Sequence, residues 1–204
     1  MNESSALATL GNIFVDPAKA YDAIRGHNRW LWYPLILTIL AGLALVVIYF
    51  TTVDIGWFFQ QQMAARHVQM TPEQIQAAAR FQSRATVLIA GSVSAVLVPF
   101  GFYLLSALYY FLVGKVAGYE VQGYGAWFSF AAWSNFPAIL ATLITLAVYL
   151  IRGNHQVDIQ TLNLTGLNTL LFHLQAGSKW YGLVNRLSLI SFWVLGLAIF
   201  GLAR

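Results

Sequence analysis

No cysteine occurs anywhere in this chain. Its absence removes disulfides, thiolate metal sites and a cysteine nucleophile together, and leaves the redox compartment open. Charge is nearly as scarce: 9% of the 204 residues are Asp, Glu, Lys or Arg, whereas soluble domains carry about 25%. A chain so poor in charge cannot cover a water-facing surface, so lipid must be much of its solvent. The net charge of +4 comes from scattered residues with no basic run. Nothing here suits nucleic acid, and basic residues in such a chain serve rather to set membrane orientation. Residues 1–29 also lack a short apolar stretch followed by a small-residue cleavage site, so the first long apolar run is read as a retained helix.

What is present is apolar: 59% hydrophobic and 15% aromatic. A helix crossing the hydrocarbon layer needs ~20 apolar residues. Four stretches are read as spans, at about 31–52, 86–113, 125–151 and 183–203. The expected fold class is therefore all-α, a polytopic transmembrane helix bundle forming a single membrane domain over 1–204. Trp30, Trp32 and Tyr33 before the first span, and Trp57, Phe58 and Phe59 after it, form the aromatic belts of the two headgroup layers. Pro99 kinks the second span, which is read as one long helix because no polar turn divides it. Residues 161–174 are apolar but short and interrupted by Asn, Thr and Gly. They are expected at the interface or against the bundle, with a re-entrant piece as the alternative.

Two shorter helices are expected. Asp16-Pro17 is a helix start, because the aspartate caps free amides and proline loses nothing in the first turn. That helix runs to Arg25 and stops at Gly26, with Phe14, Ala20, Tyr21 and Ile24 on one side. It either lies along the membrane surface as an interfacial helix or docks on the end of the bundle. Thr71-Pro72-Glu73-Gln74 is a capping-box start for a polar helix over 72–84 that leads into the second span.

At this point the chain resembles a known family. GNIFVDPAKAYDAI followed by RWLWYPLIL is similar to the opening of Yip1-domain membrane proteins, a short F-x-x-P helix ahead of an aromatic, proline-marked span. AWFSFAAWSNFPAIL resembles the family's second block, and NRLSLISFWVLGLAIFG its last, with Ser188 where relatives often carry an acidic residue. The resemblance implies a fifth span, which would lie beyond Arg204. Its eukaryotic members act in vesicle traffic and associate with Rab-type GTPases through a longer cytosolic N-terminal region. The short N-terminal tail here resembles the prokaryotic branch, so a GTPase partner is not carried over. The location implied is a bacterial inner membrane.

The chemistry read from the residues is sparse. The cores of the spans contain no Asp, Glu, Lys, Arg or His, which disfavours a proton-coupled transporter, since such machines place ionisable groups in the membrane. His27, His67, His155 and His173 are dispersed without ligand-like spacing, and no G-x-S-x-G elbow occurs. No catalytic, cofactor-binding or metal-binding residue is assigned, and no cofactor is expected. The most polar point within a span is Ser134-Asn135, just before Pro137. Proline there leaves the carbonyl of Trp133 for a side chain or water. Ala131, Asn135, Ala138, Thr142 and Thr145 follow one another at steps of four, three, four and three. Small and polar residues at that spacing let membrane helices approach and hydrogen-bond. Gly91 and Ala95 form a small-xxx-small pair ahead of Pro99. These ten positions are read as helix packing, with a pore lining as the alternative. The function expected is a non-catalytic protein that scaffolds or organises the membrane. Its partners are the bilayer and either other membrane proteins or its own copies. A small channel or uncoupled permease is the second reading.

Overall fold

The computed structural model describes residues 5–65, 83–118, 123–175 and 178–203. The helix expected over 72–84 lies, but for its last two residues, outside these, as does His67.

The chain begins with a helix that the sequence reading did not place, α1 (Ala6–Val15), N-capped by the Ser5 hydroxyl, which accepts the Ala8 amide at 3.2 Å. α2 (Pro17–Ile24) follows after one residue, and Asp16 caps it by accepting the Lys19 amide at 3.2 Å. The chain leaves α2 through Gly26, whose φ of +79° is the left-handed conformation that glycine adopts freely. Start and stop therefore fall where Asp16-Pro17 and Gly26 place them. A 3-10 turn, Asn28–Leu31, feeds α3 (Trp32–Thr52). Its 21 residues extend ~31 Å at ~1.5 Å per residue, the thickness of a hydrocarbon layer. Beyond Asp54, whose carboxylate accepts the Trp57 amide at 3.1 Å, comes α4 (Ile55–Ala65).

α5 (Arg84–Val116) runs unbroken for 33 residues through Pro99, one helix as expected. α6 (Tyr124–Asn135) and α7 (Ile139–Arg152) are joined by a 3-10 turn over Phe136–Ala138. Pro137 cannot donate a helical hydrogen bond, so the chain tightens by one residue. The Trp133 carbonyl accepts the Phe136 amide, not the side chain or water expected for it. Among the described residues, three helical stretches are long and apolar enough to cross a membrane: Asn28–Thr52, Arg84–Val116 and Tyr124–Arg152.

The fourth expected span is not one helix. It is α8 (Tyr181–Arg186) and α9 (Leu189–Leu202), separated at Leu187 and Ser188. The break has a backbone cause. Leu187 is extended, its carbonyl accepts the Leu167 amide at 2.8 Å, and the Leu189 amide donates to Thr165 at 3.0 Å. Residues 165–167 thus take the hydrogen bonds that would have continued the helix, with Gly166 bridged to Ser188. The 14 residues of α9 reach only ~21 Å at ~1.5 Å per residue. Residues 161–174 are irregular: a 3-10 turn ends at Leu162, and a π-turn over Asn168–Phe172 closes at His173, φ +49°. The Asn168 amide group holds Leu174 twice, accepting its N–H at 2.8 Å and donating to its carbonyl at 3.2 Å.

Two compact units emerge. The first comprises the described residues up to Leu40, Val96–Leu140 and those from Ile190 onward. Its core gathers Leu35, Tyr103, Ala107, Phe128, Ala131 and Ala132. The second comprises Ala41–Ala95 and Ala141–Leu189, around Tyr49, Val53, Tyr149, Val157 and Leu162.

Candidate functional site

In the first unit the polar focus is Tyr21. The residue lies on the inner face of α2 with Ala20 and Ile24, all three buried. Of the two placements open to that helix, the structure has its apolar side docked on the protein. The Tyr21 hydroxyl lies 2.8 Å from the Leu197 carbonyl and 2.9 Å from Ser134 Oγ. A phenol has one proton and the carbonyl can only accept, so Tyr21 donates to Leu197 and Ser134 donates to Tyr21. Ser134 is fully buried. Burial pushes the Tyr21 hydroxyl up to about 12, against the lowering effect of the Ser134 bond. A phenol that stays protonated at neutral pH offers no base to Ser134, so the pair is a tie and not a nucleophile. Gly201 completes the fit: a Cβ there would stand 2.6 Å from both Phe130 and Tyr21.

Asn135, the neighbour of Ser134, turns elsewhere. Its side chain donates to the Ala131 carbonyl one turn back, at 2.8 Å, so the bond stays within its own helix. Ala131 and Pro137 are buried, Asn135 is half-buried and Ala138 is exposed. Within the first unit, then, the members of the small-residue seam differ in exposure. In the second unit, Thr145 is buried and Thr142 half-buried.

The second unit also brings Gly91 and Ala95 against α3. A Cβ on Gly91 would lie 2.9 Å from Val46 Cγ1 and 3.1 Å from Phe50 Cε2, while one on Gly42 would meet the Ala95 Cβ at 3.6 Å. Gly42, Val46 and Phe50 are four apart, as are Gly91 and Ala95, so small residues on each helix admit the other. Pro99, in the first unit, is half-buried.

At the end of α3 a polar network closes the second unit. Arg84 donates to the Phe50 carbonyl at 2.6 Å and to that of Val53 at 3.0 Å, filling acceptors that a helix C-terminus leaves open. The Asp54 amide donates to the His155 carbonyl at 2.8 Å, and Gln156 donates to the Asp54 carboxylate at 2.9 Å. That side-chain bond, then the Trp57 amide and, more weakly, the Gly56 amide and the Arg84 charge, hold the carboxyl below its ordinary range. Tyr49 donates to the Val157 carbonyl at 3.0 Å. Thr52 already donates within its helix, so Tyr149, 2.6 Å away, donates to it. None of these partners followed from sequence spacing. The only available signal was that buried tyrosines require a partner for the hydroxyl. Among the described residues, no three His, Asp or Glu converge as a metal site would need.

Residues 11–204 match the Yip1 domain. No curated protein and no solved structure matches the chain. With helices apolar and long enough to cross a bilayer several times, and a match over nearly its whole length, the chain belongs to the Yip1-domain family of multi-pass membrane proteins.

Proposed function

We propose that this protein is a non-catalytic scaffold that organises the membrane or a membrane-protein complex, as a single Yip1-like domain of the prokaryotic type. The supporting observation is how its buried polar groups are used. Ser134, a fully buried hydroxyl within a span, is taken by Tyr21, and Asn135 by its own helix, while the likewise buried Ser129 hydroxyl has no partner among the described residues. Gly91 and Ala95 admit α3 closely. A bond of the Tyr21–Ser134 kind holds helices together and the Asn135 amide is spent within its own helix, whereas a conduction path needs polar groups presented to the solute. Gly91, Ala95 and Ser134 are accordingly assigned to packing.

In this reading α9 completes a fourth crossing, tilted or with local thinning of the bilayer to offset its shortness. The location is a bacterial inner membrane with the N-terminus cytoplasmic, and the partners are the bilayer and neighbouring membrane proteins or further copies. The purified protein in liposomes is expected to leave ion and small-solute flux at the level of empty vesicles. Protein-dependent flux, lost on narrowing a helix crossing, would overturn the scaffold reading in favour of a channel or uncoupled permease.

A further inference from the structure

α1 and α2 are consecutive helices with opposite outward chemistry. α1 turns Ala6, Thr9 and Ile13 inward, and Phe14 packs edge-on against Phe136 and Trp193, each 5.7 Å between ring centres. Its outward positions are Leu7, Ala8, Gly11 and Val15, with Leu7 70% and Val15 82% exposed. From Ser5 to Val15 no residue is charged. α2 presents Lys19 and Asp22 outward, and exposed Asp16 and Arg25 flank it. The outward side of α2 suits water and headgroups. That of α1 suits hydrocarbon, because it offers water nothing to bond and would leave large aliphatic groups hydrated.

A neighbouring surface gives the same reading. α9, which α1 touches through Trp193, exposes Phe192, Leu195 and Ile199, so a helix in contact with α1 also carries a large exposed apolar face. We propose that α1 is seated in the bilayer at the boundary of headgroups and acyl chains. Its Leu7–Gly11–Val15 side lies against lipid, and Lys19, Arg25 and Arg29 sit in an anionic headgroup layer. The membrane contact of this chain thus begins well ahead of its first span, in a segment docked by Ile13 and Phe14 and not by its own insertion.

The cysteine-free chain allows a direct test on the whole protein. Nitroxide labels on Leu7→Cys and Val15→Cys, in liposomes containing anionic lipid, are read for collision with oxygen and with a water-soluble nickel chelate. Leu97→Cys on the outside of α5 serves as the lipid reference and His155→Cys as the water reference. The expected oxygen-to-chelate ratio at both positions lies below that of Leu97→Cys, as a boundary depth requires, and severalfold above that of His155→Cys. A ratio like that of His155→Cys would place the face in water and overturn the proposal. Shielding from both reagents would also overturn it, by showing that a second copy or another part of the chain covers the face. Ile13→Cys is expected to be shielded from both, and free collision there would show α1 undocked, which equally removes the proposal.

Discussion

Tyr21 shows how one buried hydroxyl ties distant parts of the chain, meeting Ser134 and Leu197, 113 and 176 residues further on. Tyr21→Phe leaves the Leu197 carbonyl and the Ser134 proton without this partner. It is expected to lower thermal stability in detergent by about 1–2 kcal/mol. The pH dependence has a definite sign. The folded phenol is raised to about 12 from an ordinary 10.0, so its contribution is complete below pH 10 and is lost as pH rises towards 12. Alkaline unfolding of Tyr21→Phe is therefore expected to be shallower than wild type in that window, and superimposable curves would refute the assignment. Gly91 makes a second point at this scale. Its missing Cβ is where Val46 and Phe50 sit, and Val46 has little rotamer freedom to retreat. Gly91→Leu is expected to cost about 1–3 kcal/mol, with part recovered by adding Val46→Ala. No recovery in the double variant would mean that the two helices do not meet there. Gly91-Ala95 was legible in the sequence as a spacing, and Ser134 as a polar residue in need of a partner. Their actual partners were not, since nothing local selects Tyr21 or Val46 from the other aromatic and aliphatic residues.

Elements were legible where a local rule decides them. Asp16-Pro17 and Gly26 bounded α2 because capping and left-handed φ are properties of a few adjacent residues. The unbroken α5 followed from the absence of a polar turn at Pro99. α1 was missed: its apolar ten residues are too few for a span, and its docking depends on α2 and on distant rings, Phe136 and Trp193, that Phe14 meets. The division of the last apolar run into α8 and α9 was missed for a similar reason, because the competing hydrogen bonds come from residues 165–167, some 20 positions earlier. α4 is the element most open to pH. Asp54 caps it while also holding Gln156, and its depressed pKa means that the contribution is present above an ordinary aspartate value of 3.8 and fades as pH falls through the folded value. Amide exchange protection at Trp57 and Phe58 is expected to drop over that acid range in wild type. In Asp54→Asn it should already be lower at neutral pH and vary little with acid. A pH-independent wild-type profile would remove Asp54 as the controlling group.

For the whole molecule, orientation is the open quantity, and charge counting alone does not give it. With four crossings, Lys19, Arg25, Arg29, Lys115 and Arg204 share one side, while Arg66, Arg80, Arg84, Arg152, Lys179 and Arg186 share the other. Five against six decides nothing. The balance turns on position, because positive charges act mainly when close to a span end and the first span usually dominates. Arg25 and Arg29 lie within a few residues of Trp32, where α3 begins. At its other end Arg66 is separated from Thr52 by the whole of α4, and among the described residues Arg84 alone reaches the carbonyls of Phe50 and Val53, two charges against one at the ends of the first span. The N-terminal side is therefore expected in the cytoplasm, with residues 54–84 and 152–182 outside. Single cysteines test this without any background thiol. In intact cells a membrane-impermeant maleimide is expected to label His155→Cys and to spare His27→Cys until the membrane is opened. The reverse pattern would invert the topology. Ala203→Cys then resolves the status of α9, because a helix that crosses returns the chain to the side of His27, and one that only dips leaves it with His155. Protection of Ala203→Cys in intact cells, released on permeabilisation, is the outcome expected of a fourth crossing, and labelling in parallel with His155→Cys would reduce the spans of this chain to three.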